Sequence, residues 1–242
     1  MRTDLPPITE IWVYLSGSPL LALVLTLGAY LLGLTLYERS ERNPLANPVL
    51  IAVILVACSI QWLDMPYTKY FEGAQFVHFL LGTATVSLAI PIYKGFASLK
   101  GRVGMLVLSL FAGGITSAFS AVAMARWLGM DEALVRGLVA KSVTAPIAMG
   151  IAERVQASPT LTAIFAVSTG ILGAVLGRFV LDALRVTQWW QRGFSLGVAA
   201  HGIGTSRAFS VHPEAGAYAS LGMGLHGILG AALIPYAVAW WF

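Results

Sequence analysis

Two cations, Lys141 and Arg207, sit inside otherwise apolar stretches, AKSVTAPIAMG (140–150) and AAHGIGTSRAF (199–209), and neither has a carboxylate within five residues of it. A charge at hydrocarbon depth is costly, so such a residue either snorkels to the interface or faces an aqueous cavity. If both face one cavity, two positive charges there call for an anion. Ser142, Thr144, His201, Gly202, Gly204 and Thr205 surround them, and LLGTATVSLAIP (80–91) repeats the mixture of small, hydroxyl and helix-breaking residues with Thr83 and Thr85. A half-helix that begins near Thr205, and another near Thr83 or Thr85, would aim free N–H groups and the positive end of its dipole into a break, which suits a carboxylate. The candidate substrate-binding set is therefore Thr83, Thr85, Lys141, Ser142, Thr144, His201, Gly202, Gly204, Thr205 and Arg207. The competing explanation is that Gly and Thr only let helices approach closely, which is the reading for Gly173 and Gly177 in GAVLG.

Other chemistries fit poorly. His78, His201, His212 and His226 are 123, 11 and 14 residues apart with no Cys or Asp-rich motif beside them, so no metal site is expected. His201 reads instead as a satisfied polar or proton-responsive group beside the pocket. Ser206 and His201 lack an acid to orient them as a catalytic pair. GMGLHG (222–227) matches a dinucleotide-binding fingerprint by letter, but no strand precedes it. Cys58 is the one cysteine and lies in an apolar run, where it reads as a small core residue. Neither a cofactor nor enzymatic catalysis is expected.

The elements that must position these residues are membrane spans. Of 242 residues 57% are hydrophobic and 11% charged, whereas soluble domains carry about a quarter charged. Apolar segments fall near 18–37, 48–63, 74–93, 103–125, 133–153, 160–181, 193–209 and 215–241, lengths that match a hydrocarbon core about 30 Å thick. The first run lacks an evident cleavage site and reads as a retained span. The net charge of +4 comes from residues in short connections, a topology signal rather than a nucleic-acid surface. No connection is long enough to be a separate domain, so residues 1–242 read as a single integral membrane domain. Breaks at bilayer depth persist only where they line a cavity, and three of them in one bundle point to a transporter site. Eight crossings would put Arg185 and Arg192 opposite Arg39, Arg42, Lys94, Lys100 and Arg102. If SVTAP enters and returns, seven crossings remain and these loops share the cytoplasmic side. Segments 74–93 and 193–209 then run in opposite directions, as in an inverted repeat. The expected fold class is an all-α polytopic membrane protein, an inverted-repeat transporter-like bundle with broken and re-entrant helices.

YTKYFEGAQFVHFLLGTATVSLAIPIYK, AKSVTAPIAM, GVAAHGIGTSRAF and GAYASLGMGLHGI resemble the CidB/LrgB family from about residue 48 to the C-terminus. The family usually has proline at the position of Thr83, threonine at Ala145, alanine at Ser206 and often asparagine at His226. The resemblance implies one of two functions. One is a holin/antiholin-like membrane protein that modulates murein hydrolase activity and autolysis beside a small LrgA/CidA-type membrane partner. The other is a carrier, since the plastid relative exports glycolate and glycerate and some bacterial systems move pyruvate. Interrupted helices that carry cations favour the second: a secondary transporter of small 2-hydroxy or 2-oxo monocarboxylates (glycolate, glycerate, lactate or pyruvate) in the cytoplasmic (inner) membrane. A homodimer joined through the first two spans is expected, because a moving transport unit needs a fixed scaffold.

Overall fold

The structure is a computed structural model that describes residues 19–87, 89, 90, 93 and 101–242. Its chain divides into two compact units, Met1–Ala84 and Thr85–Phe242. The first contains α1 (Pro19–Arg39), a short 3-10 turn (Pro44–Ala46), α2 (Pro48–Trp62) and most of α3 (Tyr67–Ser87). The second contains α4 (Val103–Trp127), α5 (Glu132–Leu138), α6 (Ala145–Arg154), α7 (Pro159–Ala183), α8 (Trp189–Val211) and α9 (Pro213–Trp241). All of these elements are helical, and α1, α4, α7 and α9 are long and apolar enough to cross a membrane.

Helix ends follow local chemistry. Asn47 caps α2 by accepting from the N–H groups of Val49 (2.9 Å) and Leu50 (3.1 Å), and Pro48 opens the helix where its missing N–H is no loss. Ser158 with Pro159, and His212 with Pro213, do the same for α7 and α9. The helix α4 ends where Gly129 takes φ 68° and the Met130 N–H reaches back to the Ala125 carbonyl at 3.0 Å, the left-handed stop that glycine favours.

The second unit is two hairpins inserted among three crossing helices. At one face, Arg102 at the start of α4 lies 4.9 Å over the Trp190 ring, bonds the Tyr218 hydroxyl at 3.0 Å and is 3.7 Å from Glu214. Arg192 pairs with Asp182 at 2.7 Å, so the end of α7 lies there too. At the other face, Arg126 donates to the Trp241 carbonyl at 2.8 Å, and Phe242 lies under both Arg126 and Arg136. With 25 residues, α7 is about 37 Å long, so it starts at the Phe242 face. The helix α5 begins, and α6 ends, within five residues of helix ends at that same face. Residues 132–154 therefore enter and return, as expected for SVTAP.

Segment 193–209 corrects the expectation. It does not cross. Its helix α8 turns at His201 (φ 40°, ψ −130°), and Trp189 at its start stacks on His212 just past its end with centroids 4.9 Å apart. A Cβ on Gly204 would lie 2.6 Å from the Leu196 carbonyl oxygen, whereas eight residues of straight helix span about 12 Å. The break feature was legible, but a sharp turn with glycines on both legs lets the chain double back rather than continue. Helix–hairpin–helix from α4 to α7, and again from α7 to α9, is thus traversed in opposite directions. The inverted pairing joins the two hairpins, not 74–93 with 193–209.

A second correction concerns Thr83 and Thr85. Helix α3 runs unbroken from Tyr67 to Ser87, and the Thr83 hydroxyl bonds back to the Leu80 carbonyl at 2.8 Å. A threonine that satisfies its hydroxyl on the preceding turn sits in a helix without breaking it. No half-helix begins there, and residues 91, 92 and 94–100 lie outside the described set. Cys58, expected in a core, is exposed on α2, because an apolar helix in a membrane protein can turn such residues outward.

Candidate functional site

The tip of the first hairpin, Val139–Thr144, is made of two tight turns, Lys141 N–H to Leu138 carbonyl and Val143 N–H to Ala140 carbonyl, each 3.2 Å. Thr144 then adopts an extended conformation and Pro146 falls in the first turn of α6, which restarts the helix at mid-depth. The Lys141 ammonium donates to the Ser117 hydroxyl of α4 at 2.8 Å, and Ser142 Oγ shares a hydrogen bond with His226 Nε2 of α9 at 2.9 Å. Ser117 and His226 lie fourteen and thirteen residues into α4 and α9, about 20 Å from the Arg102 face. The tip thus stands near the middle of the bundle, tied to two crossing helices. Thr144 Oγ1 is buried and has no hydrogen-bond partner.

The second tip comes from the opposite face. His201 is buried, and its Nε2 lies 2.8 Å from the Ala166 carbonyl of α7. A carbonyl only accepts, so Nε2 carries the proton. Thr205 donates to the His201 carbonyl at 2.7 Å and touches the Met223 sulfur at 3.8 Å. Gly204 is buried between the legs, where any side chain would strike Leu196 and Ala200. Gly202, half-buried, opens the return leg. Arg207 is half-buried six residues beyond the turn, about 9 Å along the return leg toward the Arg102 face.

The structure therefore brings Lys141, Ser142 and Thr144 together at one tip and His201, Gly202, Gly204 and Thr205 at the other. Arg207 lies down the return leg, and Thr83 and Thr85 lie in the unbroken α3. Among the described residues the ion pairs are Arg102–Glu214, Arg136–Glu132, Arg178–Asp182 and Arg192–Asp182, none of which includes Lys141. Both return legs, α6 and the second half of α8, start at the tips, so their positive dipole ends add to the Lys141 charge. Among the described residues, no three His, Cys, Asp or Glu side chains gather as a metal set.

A groove of about 640 Å³ ends at Lys141, lined by α4, α7 and the first leg of α8. Its hydroxyls form two tiers. Ser109 and Ser195 lie six residues from helix ends at the Arg102 face, and Ser117 and Thr169 fourteen residues from them, about 9 and 21 Å deep. Leu172, Leu176 and Val198 form its apolar walls. Along the helices the groove runs from the level of Val180 and Phe194, nearer the Arg102 face, to Lys141.

Sequence reasoning missed Ser109, Ser117, Thr169, Ser195 and His226. A signal existed: Ser109, Gly113 and Ser117, and Thr169, Gly173 and Gly177, each recur every fourth residue and so share one helix face. Gly173 and Gly177 do serve close packing, against Ala200 and Leu196.

Comparison with known proteins gives one consistent result. The description "LrgB-like family" matches residues 26–240. The chain is 33% identical over 220 residues to the uncharacterized protein YwbG of Bacillus subtilis (strain 168), covering 91% of this chain and 97% of that one. It is 31% identical over 223 residues to YxaC of the same organism, covering 92% and 96%. It is 27% identical over 219 residues to holin-like protein CidB of Staphylococcus aureus (strain Mu50 / ATCC 700699), covering 90% and 95%. No solved structure matches.

Proposed function

The chain belongs to the LrgB-like family, and from that premise we propose that it is a secondary carrier of small 2-hydroxy or 2-oxo monocarboxylates that works as one membrane domain in the cytoplasmic membrane. The observation that carries this reading is Lys141. It stands at the tip of one of two opposed hairpins, bonded to a neutral serine and to no carboxylate among the described residues. A cation held near mid-depth without a counter-charge is expensive to keep unless an anion completes it.

In this reading the acid enters by the groove from the Arg102 face, and its carboxylate meets the Lys141 ammonium, the Ser117 hydroxyl and the N–H groups at the start of α6. Thr144 Oγ1, buried without a partner, is a further donor at the same tip, three residues from Lys141. The proposal keeps His201, Gly202, Gly204 and Thr205 as the second tip, which closes against the first, and Arg207 as a second cation further along the return leg. Because α3 is unbroken at Thr83 and Thr85, the proposal draws no half-helix N–H donors from them. Two inverted hairpins allow access to alternate between faces by small movements of one hairpin at a time. No bond is made or broken, so no enzyme activity is assigned. The basic loops with Arg39, Lys100 and Arg192 face the cytoplasm by charge bias, and the first two helices serve a homodimer contact.

A second reading has an observation in its favour: the S. aureus relatives, aligned over 90% of this chain, bear the name holin-like protein. By that reading the chain modulates murein hydrolase activity and autolysis together with a small LrgA/CidA-type membrane protein. Purified protein in liposomes separates the two. Saturable, stereoselective uptake of labelled glycolate, lactate or pyruvate is the carrier result; leak of large unrelated solutes, with no saturation, is the pore result and overturns the carrier.

A further inference from the structure

Resting on the carrier reading, we propose that the groove below Lys141 is a tail subsite, and that the protein takes monocarboxylates with an apolar chain, of the medium-chain 2-oxo and 2-hydroxy acid class, in preference to two- and three-carbon acids. The volume is the first reason. At about 640 Å³, the groove could hold on the order of twenty waters at about 30 Å³ each, and lies in the range of sites for drug-sized ligands, about 300–1,000 Å³. An acid of three carbons fills a small part of it.

The distribution of polarity is the second reason. Lys141, Ser117 and Thr169 gather at the inner end, and the next hydroxyls, Ser109 and Ser195, lie about 12 Å nearer the Arg102 face. Between the tiers the wall is Leu172, Leu176 and Val198. A path built only for small hydrophilic anions gains nothing from such a wall, whereas a chain extending from a carboxylate at Lys141 would lie along it and shed water. The outer hydroxyls mark where a tail would end or a polar terminus would be met.

The test is a competition series in proteoliposomes, with labelled pyruvate uptake as the signal and unlabelled straight-chain 2-oxo acids from three to eight carbons as inhibitors. Each added methylene should improve apparent affinity by roughly two- to fourfold, the value expected for partial to full burial of a methylene. Leu176 lines the groove and is about half exposed overall, so Leu176→Trp adds volume there without displacing a buried residue. That variant should lose the gain of the six- to eight-carbon acids, read as their apparent affinity relative to that of unlabelled pyruvate in the same protein, and Leu176→Ser should flatten the series. If wild-type protein carries pyruvate but its inhibition series is flat or falls with length, the tail subsite is wrong while the carrier reading stands. If no acid of any length is carried, both fail.

Discussion

The turn at His201 makes a quantitative prediction because two of its terms can be separated. At φ 40° and ψ −130° the residue has the backbone of the first central position of a type II′ turn, where glycine dominates, and a non-glycine held there stores about 1–3 kcal/mol. The imidazole also donates to the Ala166 carbonyl at 2.8 Å, a bond worth about 0.5–1.5 kcal/mol net. His201→Ala loses the bond and keeps the strain. His201→Gly loses the bond, releases the strain, and gives back about 0.5–1 kcal/mol through the greater freedom of unfolded glycine. The bond cancels in the comparison, so the glycine variant should exceed the alanine variant by the difference of the two terms, centred on about 1 kcal/mol within a range of about 0–2.5 kcal/mol, a melting temperature higher by roughly 2–4 °C at the centre. Thermal unfolding of both purified proteins in one detergent measures the difference. An alanine variant as stable as the glycine variant would mean that the chain does not turn back at residue 201 in this conformation.

Further predictions follow from the hairpins. Gly197→Ala should destabilise by at least about 1–3 kcal/mol, because its Cβ would fall on the Ala219 carbonyl, while Gly150→Ala, with open space around it, should be neutral or mildly stabilising in the same melting assay. Ser142→Ala should cost about 1–3 kcal/mol by leaving buried His226 without its partner, and a Ser142→Ala/His226→Leu double variant should cost less than the sum of the single changes. In a Cys58→Ser background, single cysteines at Met130 and Gln156 should react together with an impermeant reagent in intact cells, and those at Thr187 and Val211 only after permeabilisation. A split within either pair would restore a crossing segment.

Much of this architecture was legible because a bilayer allows few solutions: long apolar runs must be helices, and breaks must line a cavity. SVTAP was readable as re-entrant because charge bias and Pro146 pointed the same way. AAHGIGTSRAF was readable as a break but not as a reversal, since glycines permit both and the choice rests on the legs touching at Gly204 and Leu196. In LLGTATVSLAIP the break expected at Thr83 and Thr85 does not form, because threonine can bond to its own helix, as Thr83 does, while Leu88 and Pro91 lie outside the described residues. In the site, Lys141 and Ser142 declared themselves by charge and position. Their partners Ser117 and His226 did not, because bonds across 24 and 84 residues leave no mark on local spacing.

The central claim is that a monocarboxylate binds at Lys141, and equilibrium binding of labelled pyruvate or glycolate to purified wild-type protein and to Lys141→Met and Arg207→Ala variants tests it most directly. Hydrogen bonds to a charged group are worth about 1.5–3 kcal/mol, so Lys141→Met should weaken binding by roughly ten- to a hundredfold, with Arg207→Ala weaker than wild type by a smaller factor. A Lys141→Met protein that melts normally and binds the acid as tightly as wild type, or a wild-type protein that binds no acid at all, would contradict the account.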